Sequence, residues 1–120
     1  AAAGGLFRLA RGLPRNVATE LARTGDPIDA ERAYELGMVN RLSAPGAALE
    51  TALALAGQVT ANAPLAVQRS LELLIELKDA DDAEGINRST EALLGLMGTE
   101  DFSEGLTAFI EKRDPQWKGR

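Results

Sequence analysis

Phe109 and Lys112 stand three residues apart near the end of the chain, so a helix through them puts both on one face. An ammonium on that face can meet an anionic phosphate, and an aromatic ring can wall a nucleotide. The same spacing fits a plainer arrangement, in which Phe109 joins Phe102, Leu106 and Ile110 in an apolar stripe and Lys112 stays in water. Arg8, Arg11 and Arg15 would form an anion site on one continuous helix, but Gly12 and Pro14 interrupt it, and a solvated cationic face is the simpler reading. Gly4-Gly5 at a helix start offers N–H groups to an anion. It lacks the further glycines and the lysine of a phosphate loop, so close backbone packing accounts for it. Asp79, Asp81, Asp82 and Glu84 lack the alternation, central glycine and terminal glutamate of a calcium loop, which leaves a solvated turn and no metal site. Glu20, Glu31 and Glu35 fall on separate turns, and no catalytic residue is nominated.

Composition narrows the chemistry further. The chain has 120 residues, no cysteine and no histidine, which removes thiolate chemistry, disulfides and the commonest general base and metal ligand. The formal charge of −5 argues against nucleic acid, whose phosphates require clustered cations. Hydrophobic residues make up 45% but aromatics only 4%, so the core is expected from alanine and leucine, both good helix formers. No apolar run is long enough to span a membrane and no signal-peptide pattern opens the chain. The expectation is a soluble, cytoplasmic protein.

The elements that must position these groups are punctuated by glycine and proline. Ala2 to Arg11 reads as a helix stopped at Gly12. Pro14 suits the first turn of a second helix running to about Thr24, with Gly25 closing it. Asp29 can cap a short helix that Gly37 stops, and Met38 to Leu42 then alternates as a short strand would. Ala44-Pro45-Gly46 is a turn. Ala47 to about Ala61 is a long helix, and Pro64 opens another carrying Leu65, Leu71, Leu74 and Ile75 at helical spacing. Asp79 to Glu84 breaks the pattern, Asp82 to Met97 resumes it, and Gly98 stops it. Asp101-x-x-Glu104 fits a capping box for the last helix. A mainly α array of short-turn hairpins follows, with at most one short strand.

Several of these stretches resemble the enoyl-CoA hydratase/isomerase family, the crotonases. Thr24-Gly25, Ile28, Ala30, Ala33 and Gly37-Met38-Val39-Asn40 are similar to a segment of that family. Gly4-Gly5-x-x-Arg8-Leu9, Asn62-Ala63-Pro64 and Glu104-Gly105-x-x-Ala108-Phe109-x-Glu111-Lys112-Arg113 resemble motifs before and after it, in the same order. Ala-rich helices with glycine stops are common, so each match is weak alone and the ordered set carries the resemblance.

The resemblance implies the helical C-terminal region of a crotonase-like fold, with the N-terminal ββα spiral core absent from this chain. Residues 1–120 would form a single helical domain. Within it, 1–45 would end the core-adjacent part, and 46–120 would be the helical acyl-CoA-site and trimerisation part. Family members are longer, and the resemblance places both hydration glutamates and the oxyanion-hole N–H groups outside this chain. It implies an acyl-CoA substrate, a homo-oligomer built as a trimer or dimer of trimers, and no separate cofactor, coenzyme A being part of the substrate. It also implies that Phe109 and Lys112 bind the CoA of a neighbouring subunit. The whole protein would add water syn across a 2-enoyl-CoA, and this chain alone would be inactive. The alternative is a helical oligomerisation or interaction module without catalysis.

Overall fold

The computed structural model describes residues 4–120, so the predicted helix start at Ala2 lies outside the described residues. Seven helices follow one another: α1 (Gly5–Gly12), α2 (Arg15–Thr24), α3 (Ala30–Glu35), α4 (Ala48–Thr60), α5 (Pro64–Glu76), α6 (Asp82–Leu96) and α7 (Glu100–Glu111). The chain divides into two compact units, Ala1–Leu53 and Ala54–Arg120.

In the first unit, α1 packs on α2. Leu13, which joins them, and Ala18 on α2 are buried. Gly4 begins α1 at φ 83°, and a Cβ there would come within 2.7 Å of the Phe7 ring. Both the positive φ and the ring favour glycine at Gly4, whereas a Cβ on Gly5 would meet nothing within 4 Å, so close packing accounts for the first glycine of the pair alone. Gly25 closes α2 in the left-handed conformation, its N–H donating to the Leu21 carbonyl. Asp29 caps α3 by accepting from the Arg32 N–H at 2.7 Å, as its position predicts.

The predicted strand over Met38–Leu42 is corrected: these residues form no strand, and none is assigned among the described residues. The reason is local. Gly37 turns at φ 74°. Its N–H donates to the Tyr34 carbonyl at 3.0 Å, and the Met38 N–H donates to the Ala33 carbonyl at 2.8 Å. That pair of bonds is the Schellman closure of a helix. Met38 thus spends its N–H finishing α3, and a strand of this length without a partner is not stable.

In the second unit, α5 and α6 form the main hairpin. Pro64 opens α5 at its first position. Asp81, from the acidic turn, caps α6 by accepting from the Glu84 N–H at 2.9 Å. Across the hairpin Arg88 bridges Glu76 at 3.1 Å, and within α6 it also meets Glu91 at 3.3 Å. Arg69 holds Glu72 at 2.9 Å; this bond raises the arginine and lowers the carboxylate from their ordinary values.

The buried apolar side chains of the described residues are four alanines and one leucine, and no large side chain is fully enclosed. The leucines and isoleucines that the helical spacing marks as apolar stripes lie largely outward, Leu74, Ile75, Leu94 and Ile110 among them. Helices that meet through alanine approach closely, and their larger neighbours on the same stripes keep contact with solvent.

A candidate site at the end of the last helix

α7 is the element that would present the site, and its start differs from the capping box the sequence suggests. Thr99 is the cap, its hydroxyl accepting from the Phe102 N–H at 3.1 Å. Asp101 has another task. It is only 3% exposed, and its two carboxylate oxygens accept from the backbone N–H groups of Lys118 at 2.7 Å and Gly119 at 2.9 Å. Glu104 likewise reaches across space. It receives a two-pronged bond from Arg113 at 2.6 and 2.9 Å and the Gln116 N–H at 2.6 Å. The Arg113 guanidinium first, and the Gln116 N–H second, hold the Glu104 carboxyl down to about 2. Arg113 is raised in turn by Glu104 and then by Glu111, which it meets at 2.6 Å. Glu100 is lowered chiefly by the Lys118 ammonium at 2.8 Å, with Arg120 at 3.0 Å adding to it.

Phe109 projects from α7 and is 85% exposed. Lys112 stands one residue past the helix. It adopts the left-handed conformation, φ 53° and ψ 44°, and its N–H donates to the Ala108 carbonyl. The Arg113 N–H donates to that same carbonyl at 3.1 Å. Lys112 is the only non-glycine residue at positive φ among the described residues. Its direction is therefore set by the helix closure rather than by the helical period that the sequence spacing assumes. Its ammonium has no ion pair among the described residues, whereas Arg113 beside it is doubly paired. The last turn of α7 and its closure thus carry an exposed ring and a cation without an ion pair among the described residues.

Beside α7 lies an apolar cavity of about 300 Å³, lined by Ala63, Leu65, Ala66, Leu93, Leu96, Phe102, Leu106 and Trp117, with Thr99, Asp101 and Gly105. Trp117, the one tryptophan of the chain, donates its indole N–H to the Ala61 carbonyl at 2.8 Å. The sequence reading passed over Trp117 and the anchoring role of Asp101. The available signal was a lone tryptophan in an aromatic-poor chain, sitting beyond the last helical pattern and two residues after Pro115.

The other candidates resolve plainly. Arg8 and Arg11 lie on α1 over the Phe7 ring, at 5.6 and 5.2 Å. Arg15 begins α2 after the break, so the three arginines do not share one helix. No group of three or more His, Cys, Asp or Glu side chains among the described residues could hold a metal ion. No helix among them is long and apolar enough to cross a membrane.

The profile of the enoyl-CoA hydratase/isomerase family matches residues 1–120. The carnitinyl-CoA dehydratase of Salmonella arizonae is 38% identical over 120 residues, covering 97% of this chain and 46% of that protein. The 2,3-dehydroadipyl-CoA hydratase of Escherichia coli is 33% identical over 118 residues, covering 98% and 46%. A solved enoyl-CoA hydratase from Mycobacterium tuberculosis superposes with a TM-score of 0.90 at 43% identity, over 98% of this chain and 46% of that one. The chain therefore spans about half the length of the relatives it matches. The match also corrects the fold expectation that the family's core is absent here. The family profile runs through the whole of these 120 residues, so this helical chain is itself part of what marks the family, and the match gives no support to a C-terminal placement. On the match along its whole length, the chain belongs to the enoyl-CoA hydratase/isomerase family.

Proposed function

We propose that the chain forms part of an enzyme acting on acyl-CoA thioesters, the whole protein adding water syn across a 2-enoyl-CoA. The observation that carries this reading is the family match along all 120 residues. The relatives' names support it, two of them denoting a dehydratase and a hydratase of CoA thioesters. Hydration needs an acid and a base aimed at one water, and donors aimed at the developing enolate oxygen. The carboxylates of α7 are poorly suited to the first task. Asp101 is occupied by two N–H groups, and Glu104, held at about 2, has no proton to give near neutral pH. The 120 residues alone are accordingly inactive, and the whole protein supplies the acid and base. Assay of the full-length protein on crotonyl-CoA, following loss of the enoyl thioester, tests the reading. Hydration at enzymic rates supports it, and a protein that leaves crotonyl-CoA and longer 2-enoyl-CoA substrates untouched overturns it.

Within that reading, Phe109 and Lys112 face the CoA bound by a neighbouring subunit of a homo-oligomer, the ring beside the nucleotide and the ammonium on a phosphate. The exposed ring and the unpaired ammonium support this. Lys112→Ala should raise KM for acyl-CoA while leaving kcat nearly unchanged, because a contact to the remote nucleotide favours ground and transition states alike. The loss is about 1 kcal/mol or less for an exposed pair, and it shrinks with salt. It should vanish for a pantetheine thioester, which carries no nucleotide. An equal penalty on both substrates would assign Lys112 to folding or assembly.

A non-catalytic helical module for self-association is the second reading. The outward apolar side chains of α4 to α7, Leu49, Leu53, Leu74 and Ile110 among them, favour it. Sedimentation of the full-length protein as a monomer would count against association in either reading.

A further inference from the structure

We propose that the segment from Asp114 to Arg120 is a detachable strap, which opens as a unit from the folded helices and in doing so removes one wall of the apolar cavity beside α7. Beyond α7 the segment has no helix or strand of its own. Its attachments land on a small part of the unit. The N–H groups of Gln116, Lys118 and Gly119 go to Glu104 and Asp101. The Arg120 carbonyl accepts from the Glu100 and Asp101 N–H groups at 2.8 and 3.2 Å. The indole of Trp117 holds the Ala61 carbonyl. All but the last fall within the first five residues of α7.

None of these bonds builds a helix. Thr99 caps α7 without the strap. The Glu100 and Asp101 N–H groups released on opening belong to the first turn, where a helix always leaves donors without internal partners and water can take them. Asp101, freed, regains water on both oxygens. Opening therefore costs the strap's own contacts and leaves α4 to α7 formed, which is the condition for an opening separate from global unfolding. Its visible consequence is at the cavity, where Trp117 is the only lining residue that the strap supplies.

Peptide-resolved hydrogen exchange on the full-length protein tests this. The Gln116, Lys118 and Gly119 amides should be protected, yet exchange through an opening insensitive to low urea, while the α5 amides should respond to urea. Asp101→Asn leaves one oxygen facing two N–H donors with an amide in place of the other, and should speed strap exchange at least ten-fold without moving α5. Gly119 turns at φ 72°, and a Cβ there meets only Pro64 at 3.6 Å, an ordinary contact. Gly119→Ala therefore strains the strap's backbone alone, by the cost of a left-handed residue, and should speed its exchange about five- to thirty-fold. Should Asp101→Asn fail to fold, the Gly119→Ala result decides. Strap and α5 amides that exchange at one rate, and respond alike to urea and to Gly119→Ala, overturn the proposal.

Discussion

α3 and α7 each end on a left-handed residue followed by a bond reaching back five residues, but on different residue types. At α3, Gly37 takes the left-handed position at φ 74°, and Met38 reaches back to the Ala33 carbonyl at 2.8 Å. At α7, Lys112 takes it at φ 53°, and Arg113 reaches back to the Ala108 carbonyl at 3.1 Å. Glycine adopts this conformation freely; a residue with a Cβ does so at a cost of about 1–2 kcal/mol. The α7 end tolerates that cost because the chain beyond it is held. Arg113 is locked to Glu104 and Glu111, and the strap is fastened further on to Asp101. The α3 end uses glycine, the residue that needs no such fastening. The comparison teaches that a strained closure is found where the following segment is already pinned.

The largest effect should come from removing the pin. Asp101→Ala removes the buried carboxylate that accepts from the Lys118 and Gly119 N–H groups and should cost about 1–3 kcal/mol in denaturant unfolding. Asp29→Ala, which removes the exposed cap of α3, should cost about 1 kcal/mol. Equal losses would erase the distinction between a pinned end and a merely capped one. Next come the two left-handed residues. Gly37→Ala should destabilise by about 1–2 kcal/mol. Lys112→Gly should stabilise by up to about 1 kcal/mol, the relief of strain being partly offset by a freer unfolded chain. A destabilising Lys112→Gly would mean that the lysine side chain contributes more than its backbone strain costs.

The smallest effect is the acid dependence. The Glu104 carboxyl titrates at about 2 when folded against an ordinary 4.5. A lowered folded value gives stability that is fully present above the unfolded value and is lost as pH falls through the folded one. Thermal midpoints followed from pH 6 to pH 2 should therefore fall less steeply for Glu104→Gln than for the unaltered protein. The contribution is modest because Glu104 keeps 21% of its side chain exposed, where solvent screens the pair. Parallel curves would show that the Arg113 pair is formed equally in the unfolded chain.

Local chemistry made most of the helices legible in the sequence. Gly25, Asp29, Gly37 and Pro64 each act within one turn of where they stand, and each sits at the helix end its type predicts. The errors have a common cause. Asp101-x-x-Glu104 satisfies a capping box on local rules, yet both carboxylates are taken by groups nine to eighteen residues away, and Thr99 is left to cap. Met38 to Leu42 alternates like a strand, but its first N–H is claimed by α3. Lys112 is a good helix former, and nothing in its type announces a left-handed backbone. At the candidate site, the helix carrying Phe109 follows from local pattern, whereas the 85% exposure of its ring is the reverse of what an apolar stripe packed in a core would give. The family was legible because its glycine and proline punctuation is itself local.

The alanine-built interior has a consequence for how this chain responds to sequence change. Where most enclosed side chains are already methyl groups, trimming them has nothing left to remove. Growth is the direction that does harm. Ala108, 3% exposed and carrying the carbonyl that closes α7, leaves no room for added carbons without moving a backbone. Drift at such positions is bounded from above by size, while the outward leucines of the same helices are free to shrink. A survey of tolerated substitutions would thus show its narrowest columns at the smallest residues, the reverse of a protein organised around large enclosed side chains.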